Sequence, residues 1–105
     1  MDNKILNKMK ENYIDFPKEE YESYKKRLIE NKIIYTTRVS KEVFKYEKNK
    51  IYHSSFGKLR VVYLKHFDYL KDHPFYNELT KEQKEEIEFY IKEKGYDLIG
   101  LRKIE

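Results

Sequence analysis

The segment Asn31-Lys32-Ile33-Ile34-Tyr35-Thr36-Thr37-Arg38-Val39 contains the most β-prone run of the chain. Ile, Tyr, Thr and Val favour a pleated, half-buried surface, so the run predicts a strand over 33–39. Side chains alternate across a strand, which puts Ile33, Tyr35, Thr37 and Val39 on one face and Ile34, Thr36 and Arg38 on the other. We expect the first face in the core. The second carries a hydroxyl and a guanidinium that would hold a phosphate or a carbonyl group, unless it is simply a solvated strand surface.

Composition predicts one soluble domain over residues 1–105, with residues 1–14 as a loosely packed N-terminal extension. The chain has no cysteine, which excludes disulfides and thiolate metal sites, and no run long and apolar enough for a membrane span. We therefore expect a cytoplasmic protein without a membrane association. The 23 basic and 19 acidic residues give a net charge of +4, which permits a nucleic-acid partner without demanding one. Abundant Lys, Asn, Ile and Tyr are typical of AT-rich bacterial or phage genomes.

The remaining elements follow from start and stop signals, and their order predicts an α+β fold. Pro17 and the acidic residues after it predict a helix over 17–30. Short strands over 50–53 and 59–66 form a hairpin around Gly57. The capping box Thr80-Lys81-Glu82-Gln83 begins a second helix, Gly95 ends it, and a last strand covers 96–104.

Two further stretches carry polar groups that have both a functional and a structural interpretation. The aromatic connection 67–78 is too long for an ordinary turn, and such ordered loops are often functional. Within it, His73 precedes a proline and is either a general base or ligand contact, or a histidine held by turn hydrogen bonds. The Glu82–Glu88 segment is either a source of a catalytic carboxylate or a solvated helix surface.

Chemical elimination leaves one basic, hydroxyl-bearing strand as the candidate site. The three histidines lack the spacing of a zinc site, so we expect no metal, and glycine is too scarce for a phosphate-binding loop, so we expect no cofactor. A threonine beside cations is either activated by a lysine, which makes Thr36 and Lys32 catalytic candidates, or helps to clamp a phosphate. The candidate ligand-binding residues are Lys32, Tyr35, Thr36, Arg38, Lys41 and His73.

The order of elements, with the run Asn31 to Arg38, resembles the ASCH domain family of the PUA-like superfold. The family's junction reads roughly Gly-x-Lys-x-x-Thr-x-Arg, and Thr36 and Arg38 match its threonine and arginine. The family's lysine position falls on Ile33, one residue after Lys32, and Asn31 stands at the glycine. The resemblance implies a small PUA-like mixed β-barrel flanked by two or three helices and associated with RNA binding. Some small members hydrolyse the amide of acetylated cytidine nucleosides.

Three functions follow from these features. The first is a module that binds RNA or a nucleotide, in which Lys32, Thr36, Arg38 and Lys41 contact phosphates or base edges and Tyr35 stacks on a base. The second is an amidohydrolase that acts on a modified cytidine nucleoside. The third is a protein-interaction module, such as a phage or mobile-element inhibitor, because Tyr and Arg commonly anchor interfaces. The sequence leaves open whether the chain is an enzyme.

Overall fold

A computed structural model describes residues 12–104, which form two helices and four strands. Helix α1 (Tyr21–Ile29) follows a 3-10 turn over Lys18–Glu20, and helix α2 covers Lys81–Lys94. The strands are β1 (Ile34–Arg38), β2 (Ile51–Ser54), β3 (Gly57–Phe67) and β4 (Tyr96–Lys103). Three more 3-10 turns cover Ser40–Glu42, Leu70–Asp72 and Tyr76–Glu78. The α+β class and the predicted helices and strands are confirmed.

The four strands form one antiparallel sheet in the order β1-β4-β3-β2. Strand β4, the last in the chain, lies at the centre between β1 and β3, so all but its last two residues are buried. Strands β1 and β2 are the edges, and they do not pair with each other among the described residues. The sheet is therefore open at the place where a barrel would close.

Strand β3 contains a bulge that the sequence did not predict. Val61 pairs with Leu101 but Tyr63 pairs with Gly100, so Val62 is an extra residue. Because one inserted residue reverses the alternation of the side chains, Leu64 shares the core face with Leu59 and Val61. The prediction that Leu59, Val61 and Tyr63 share one face was wrong for Tyr63.

The prediction of which face of β1 lies in the core was wrong. Both faces of the sheet are covered, and the face expected to bind a ligand or to be solvated is the more buried one. Ile34, Thr36 and Arg38 are the buried residues of the strand, whereas Tyr35 and Thr37 are half-buried. On the Ile34 face, Ile14, Phe16 and the α1 residues Tyr24 and Leu28 build the main core. On the other face, Ile87 of α2 packs with Leu70 and Tyr96.

The ends of α2 follow the sequence signals. The Thr80 hydroxyl accepts a hydrogen bond from the Gln83 backbone N–H, and the Gln83 side chain accepts one from the Thr80 N–H. Gly95 ends the helix with φ of 73°, a left-handed conformation that favours glycine. A Cβ at this position would overlap the Phe67 carbonyl oxygen, so Gly95 is also required by close packing.

The segment before the first helix protects one edge of the sheet. Residues 12–14 pair in parallel with β2, where Ile14 N–H donates to the His53 carbonyl and His53 N–H donates to that of Asn12. Ile14 is fully buried, so the predicted loose packing does not apply to this residue. The rest of the predicted extension, residues 1–11, lies outside the described residues. Neither described helix is long and apolar enough to cross a membrane.

Candidate functional site

A cleft of about 860 Å³ lies along β1, where the strand meets both helices. Helix α1, β1, the connection 73–79 and the first turns of α2 form its walls. The residues that line it are Pro17, Glu19, Glu20, Tyr24, Arg27, Tyr35, Thr36, Thr37, Val39, His73, Phe75, Glu78, Leu79, Glu82, Gln83, Glu86, Ile87 and Leu98. Pockets of this size commonly hold small organic ligands.

Carboxylates dominate the charge of this cleft. Its acidic lining residues are Glu19, Glu20, Glu78, Glu82 and Glu86. Arg27 is the lining cation within residues 12–104, and its guanidinium already donates to the Ile33 carbonyl at 2.9 and 3.1 Å. No three carboxylate or imidazole groups of the described residues converge on a point that would hold a metal ion. The cleft therefore offers many acceptors for hydrogen bonds and repels anions.

A chain of hydrogen bonds joins the two helices across the cleft. Because the Gln83 side-chain oxygen accepts from Thr80 N–H, its amide nitrogen faces Glu20 and donates to that carboxylate at 3.2 Å. Tyr24 donates to the other Glu20 oxygen at 2.7 Å, and its hydroxyl lies 3.2 Å from the Tyr35 carbonyl oxygen. Burial, and then the Glu20 carboxylate, raise the pKa of Tyr24, so its hydroxyl remains a donor.

His73 and Thr37 form the most constrained polar pair of the cleft. The Thr37 hydroxyl oxygen lies 2.8 Å from His73 Nε2, and the Phe75 backbone N–H donates to His73 Nδ1 at 3.0 Å. Burial lowers the pKa of His73 from its ordinary value of 6.5, which favours the neutral ring. A neutral ring that accepts at Nδ1 carries its proton on Nε2. His73 therefore donates to Thr37.

This tautomer bears on the interpretation of His73 as a general base. A general base must accept the proton of the hydroxyl at Nε2, and here that nitrogen is a donor. The turn around the histidine adds bonds from His73 N–H to the Leu70 carbonyl and from Tyr76 N–H to the His73 carbonyl. These bonds agree with a histidine held by turn hydrogen bonds, whereas its predicted role as a ligand contact stays a prediction, because His73 lines the cleft.

Aromatic rings hold this wall of the cleft in place. The His73 ring stacks on Tyr96 at 5.5 Å, and Tyr96 stacks on Phe67 at 5.4 Å. The Tyr35 ring contacts those of Phe75 at 4.9 Å and Tyr63 at 6.0 Å. Tyr35 and Phe75 are half-buried lining residues, so they present aromatic surface to the cleft.

Arg38 lies on the opposite face of β1 and is buried. It is 9% exposed, donates to the Asp15 carbonyl oxygen at 2.5 Å, and has its guanidinium carbon 5.2 Å from the Phe16 ring centre and 5.7 Å from that of Tyr46. The Glu42 carboxylate lies 3.9 Å away. With these contacts Arg38 fastens the segment before α1 to the sheet, and it does not line the cleft.

The structure brings three of the six predicted site residues to the cleft. Tyr35, Thr36 and His73 line it, whereas Lys32, Arg38 and Lys41 do not. Lys32 is exposed and pairs with Glu30 at 2.9 Å, and Lys41 is exposed. Thr36 and Lys32 therefore do not assemble at the cleft as a catalytic pair.

Most lining residues that the sequence did not assign to the site come from two regions: α2 with the segment before it, and α1 with the residues just before it. On α2, Glu82 and Glu86 lie four positions apart, and this spacing on a helix places side chains on one side. That signal was available for Glu82 and Glu86 within the acidic cluster. Nothing in the sequence placed this side against β1, because that contact depends on the tertiary fold.

No protein-family model matches this chain, and no curated protein or solved structure matches it with significance. The geometry of the cleft therefore carries the functional argument.

Proposed function

We propose that this chain is a small binding module whose cleft takes an unphosphorylated nucleoside, free or as an exposed base of RNA. The observation that carries the proposal is the charge of the lining. Five carboxylates line the cleft together with one arginine, whose guanidinium is already hydrogen-bonded to a backbone carbonyl. Phosphate groups inside the cleft would meet like charges, which costs binding energy. A neutral nucleoside meets no such penalty.

The chemical groups of a nucleoside match those of the cleft. A base stacks on aromatic side chains such as Tyr35 and Phe75, and stacking contributes about 1–3 kcal/mol per base. Ribose hydroxyls and exocyclic amines are donors, and the carboxylates of Glu82 and Glu86 accept hydrogen bonds from such groups. The volume of about 860 Å³ leaves room for a base and a sugar.

The resemblance to the ASCH domain family supports the same class of ligand, and both the family relationship and a PUA-like barrel remain proposals. RNA binding also remains a proposal, but with different contacts from those predicted. Arg38 is buried, so of the three cations predicted to contact RNA only the exposed Lys32 and Lys41, which flank β1 in the sequence, remain accessible to phosphates. An RNA strand would insert a base into the cleft and keep its phosphates outside.

The amidohydrolase and protein-interaction alternatives stay predictions. Thr36 lines the cleft without Lys32, and the His73 tautomer does not activate Thr37, so an amidohydrolase would have to use one of the lining carboxylates as its base. The exposed aromatic residues do not form one segment: Phe44 follows the 3-10 turn over Ser40–Glu42, Tyr69 and Tyr76 lie in the connection 67–78, and Phe89 lies in α2.

The test compares ligands that differ only in phosphate. Isothermal titration calorimetry should show that the wild-type protein binds at least one of adenosine, cytidine, guanosine and uridine. We expect the matching 5′-monophosphate to bind about tenfold more weakly or worse, because its charge faces the carboxylates. Equal or tighter binding of the monophosphate would contradict the proposal, as would the absence of nucleoside binding.

A matched pair of variants checks that the cleft carboxylates cause this selection. Glu82→Gln with Glu86→Gln removes two charges from the lining, and the preference for the nucleoside should shrink. Glu85→Gln with Glu88→Gln removes two charges from the same helix outside the lining, and the preference should stay as in the wild type. The same change in both double variants would point to a general charge effect instead.

A further inference from the structure

We infer that Thr37 is the hydrogen-bond donor that selects the ligand of this cleft, and that His73 positions it. The inference rests on the proposed function for the kind of ligand. It adds the polarity of the contact: the ligand presents an acceptor, such as a base carbonyl or a ring nitrogen, to β1.

The backbone of the 73–75 turn sets the tautomer of His73. Phe75 N–H donates to His73 Nδ1 at 3.0 Å, so Nδ1 has no proton and the neutral ring carries it on Nε2. That proton points along the 2.8 Å contact to the Thr37 oxygen. The backbone of one loop thus decides the role of a hydroxyl on a strand.

The tautomer of His73 determines which partner the Thr37 hydroxyl can donate its proton to. A hydroxyl has one proton and two lone pairs, and the His73 donor occupies one lone pair. The Thr37 proton is therefore available for an acceptor in the cleft that the residue lines. Among lining groups dominated by carboxylates, this hydroxyl supplies what a ligand carbonyl or ring nitrogen needs.

Packing keeps the imidazole in this orientation. The ring lies on Tyr96 at an interplanar angle of 20°, and Tyr96 donates from its own hydroxyl to the Tyr69 carbonyl at 2.9 Å. His73 is 5% exposed, so water does not compete for its nitrogens. His73 touches the ligand only through Thr37 and is a positioning residue.

The first test reads the tautomer in the free protein and needs no ligand. Long-range proton–nitrogen NMR of the imidazole at neutral pH should give an unprotonated Nδ1 and a protonated Nε2 for His73. A proton on Nδ1 would overturn the inference, because Thr37 would then donate to the imidazole and His73 would be a candidate base.

The second test measures affinity for whichever of the four nucleosides the wild type binds most tightly. Thr37→Ser keeps the hydroxyl and should bind within about twofold of the wild type, whereas Thr37→Val keeps the shape and should bind about tenfold more weakly. Wild-type affinity in Thr37→Val would overturn the inference.

A second pair of variants separates positioning by His73 from a merely structural role. The amide of His73→Gln can accept at its oxygen and donate at its nitrogen, so it should keep most of the affinity. His73→Leu offers neither group and should fall to the level of Thr37→Val. Equal loss in both variants, with folded circular dichroism spectra, would overturn the positioning role. If no nucleoside binds the wild type, the proposed function fails and the ligand contact of Thr37 fails with it, while the NMR result still decides whether His73 donates to Thr37.

Discussion

The two faces of β1 differ in how their polar groups are satisfied. On one face, Arg38 is enclosed between Phe16 and Tyr46 and donates to the Asp15 carbonyl, so its charge serves the fold. On the other face, Thr37 accepts from His73 and keeps its own proton beside a cleft of about 860 Å³. Adjacent residues of β1 thus have separate roles. The charged residue, Arg38, does not face the cleft, whereas the uncharged Thr37 does.

The largest expected effect comes from removing Arg38. Arg38→Ala deletes the side chain between two rings and leaves a buried gap, which should cost about 2–3 kcal/mol in the free energy of unfolding. Arg38→Met keeps much of the packing, and it removes a buried Nε that has no hydrogen-bond partner, so its loss should be much smaller. Urea denaturation measures both values.

The Arg38→Met variant also tests whether the two faces of β1 have separate roles. The folded Arg38→Met protein should bind a nucleoside as the wild type does, because Arg38 does not line the cleft. A specific loss of binding in this variant, without a loss of stability, would place Arg38 in the binding site and break the comparison.

A substitution at Gly100 tests the face of the sheet that carries Tyr35. A Cβ at this position would lie 2.9 Å from the Tyr63 Cβ and 3.0 Å from the Tyr35 Cε1, closer than normal packing allows. Gly100→Ala should therefore displace Tyr35 and cost about 1–2 kcal/mol in unfolding free energy. Nucleoside affinity should fall with it. Unchanged affinity in a destabilised protein would show that Tyr35 does not contact the ligand.

Loss of the capping box of α2, or of the hydrogen bond from Gln83 to Glu20, should have a smaller effect on the free energy of unfolding. Thr80→Ala removes the cap of α2 and should cost about 1 kcal/mol in unfolding free energy. Gln83→Ala removes its part of the capping box and also the bond to Glu20, so it alone should change the cleft. Thermal denaturation and calorimetry should show similar stability losses but weaker nucleoside binding only in Gln83→Ala.

The smallest expected effect is a pH dependence from His73. Its pKa is lowered in the folded state, so the unfolded chain takes up a proton more readily. Stability is therefore complete above the unfolded pKa near 6.5 and is lost as the pH falls from there towards the folded value. Urea denaturation at about pH 7.5 and about pH 5.5 should show a larger loss in the wild type than in His73→Gln. A wild-type loss no larger than that of His73→Gln would contradict a buried neutral imidazole.

Local sequence signals predicted the elements because each has a local cause. The capping box at Thr80 and the left-handed Gly95 depend on residues within one turn, and both are present as predicted. The Val62 bulge depends instead on how β3 pairs with β4, a strand more than thirty residues away. Sequence alternation alone therefore gave the wrong face for Tyr63.

The site was predicted only in part for a similar reason. Tyr35, Thr36 and His73 were identified as candidates and line the cleft. Arg38 was expected at the ligand because its guanidinium shares a strand face with the Thr36 hydroxyl, but the Phe16 and Tyr46 rings and the Asp15 carbonyl enclose it. These partners lie outside residues 33–39, and a pattern within that run contains no information about them.

The most direct test of the assignment of tasks to the two faces is NMR shift mapping. Titration of the nitrogen-labelled protein with its best nucleoside should perturb the backbone amides of Tyr35, Thr37, Phe75 and Glu82, and leave those of Asp15 and Tyr46 unchanged. Perturbations centred on Phe16, Arg38 and Tyr46 would contradict the account and return the binding site to the arginine face.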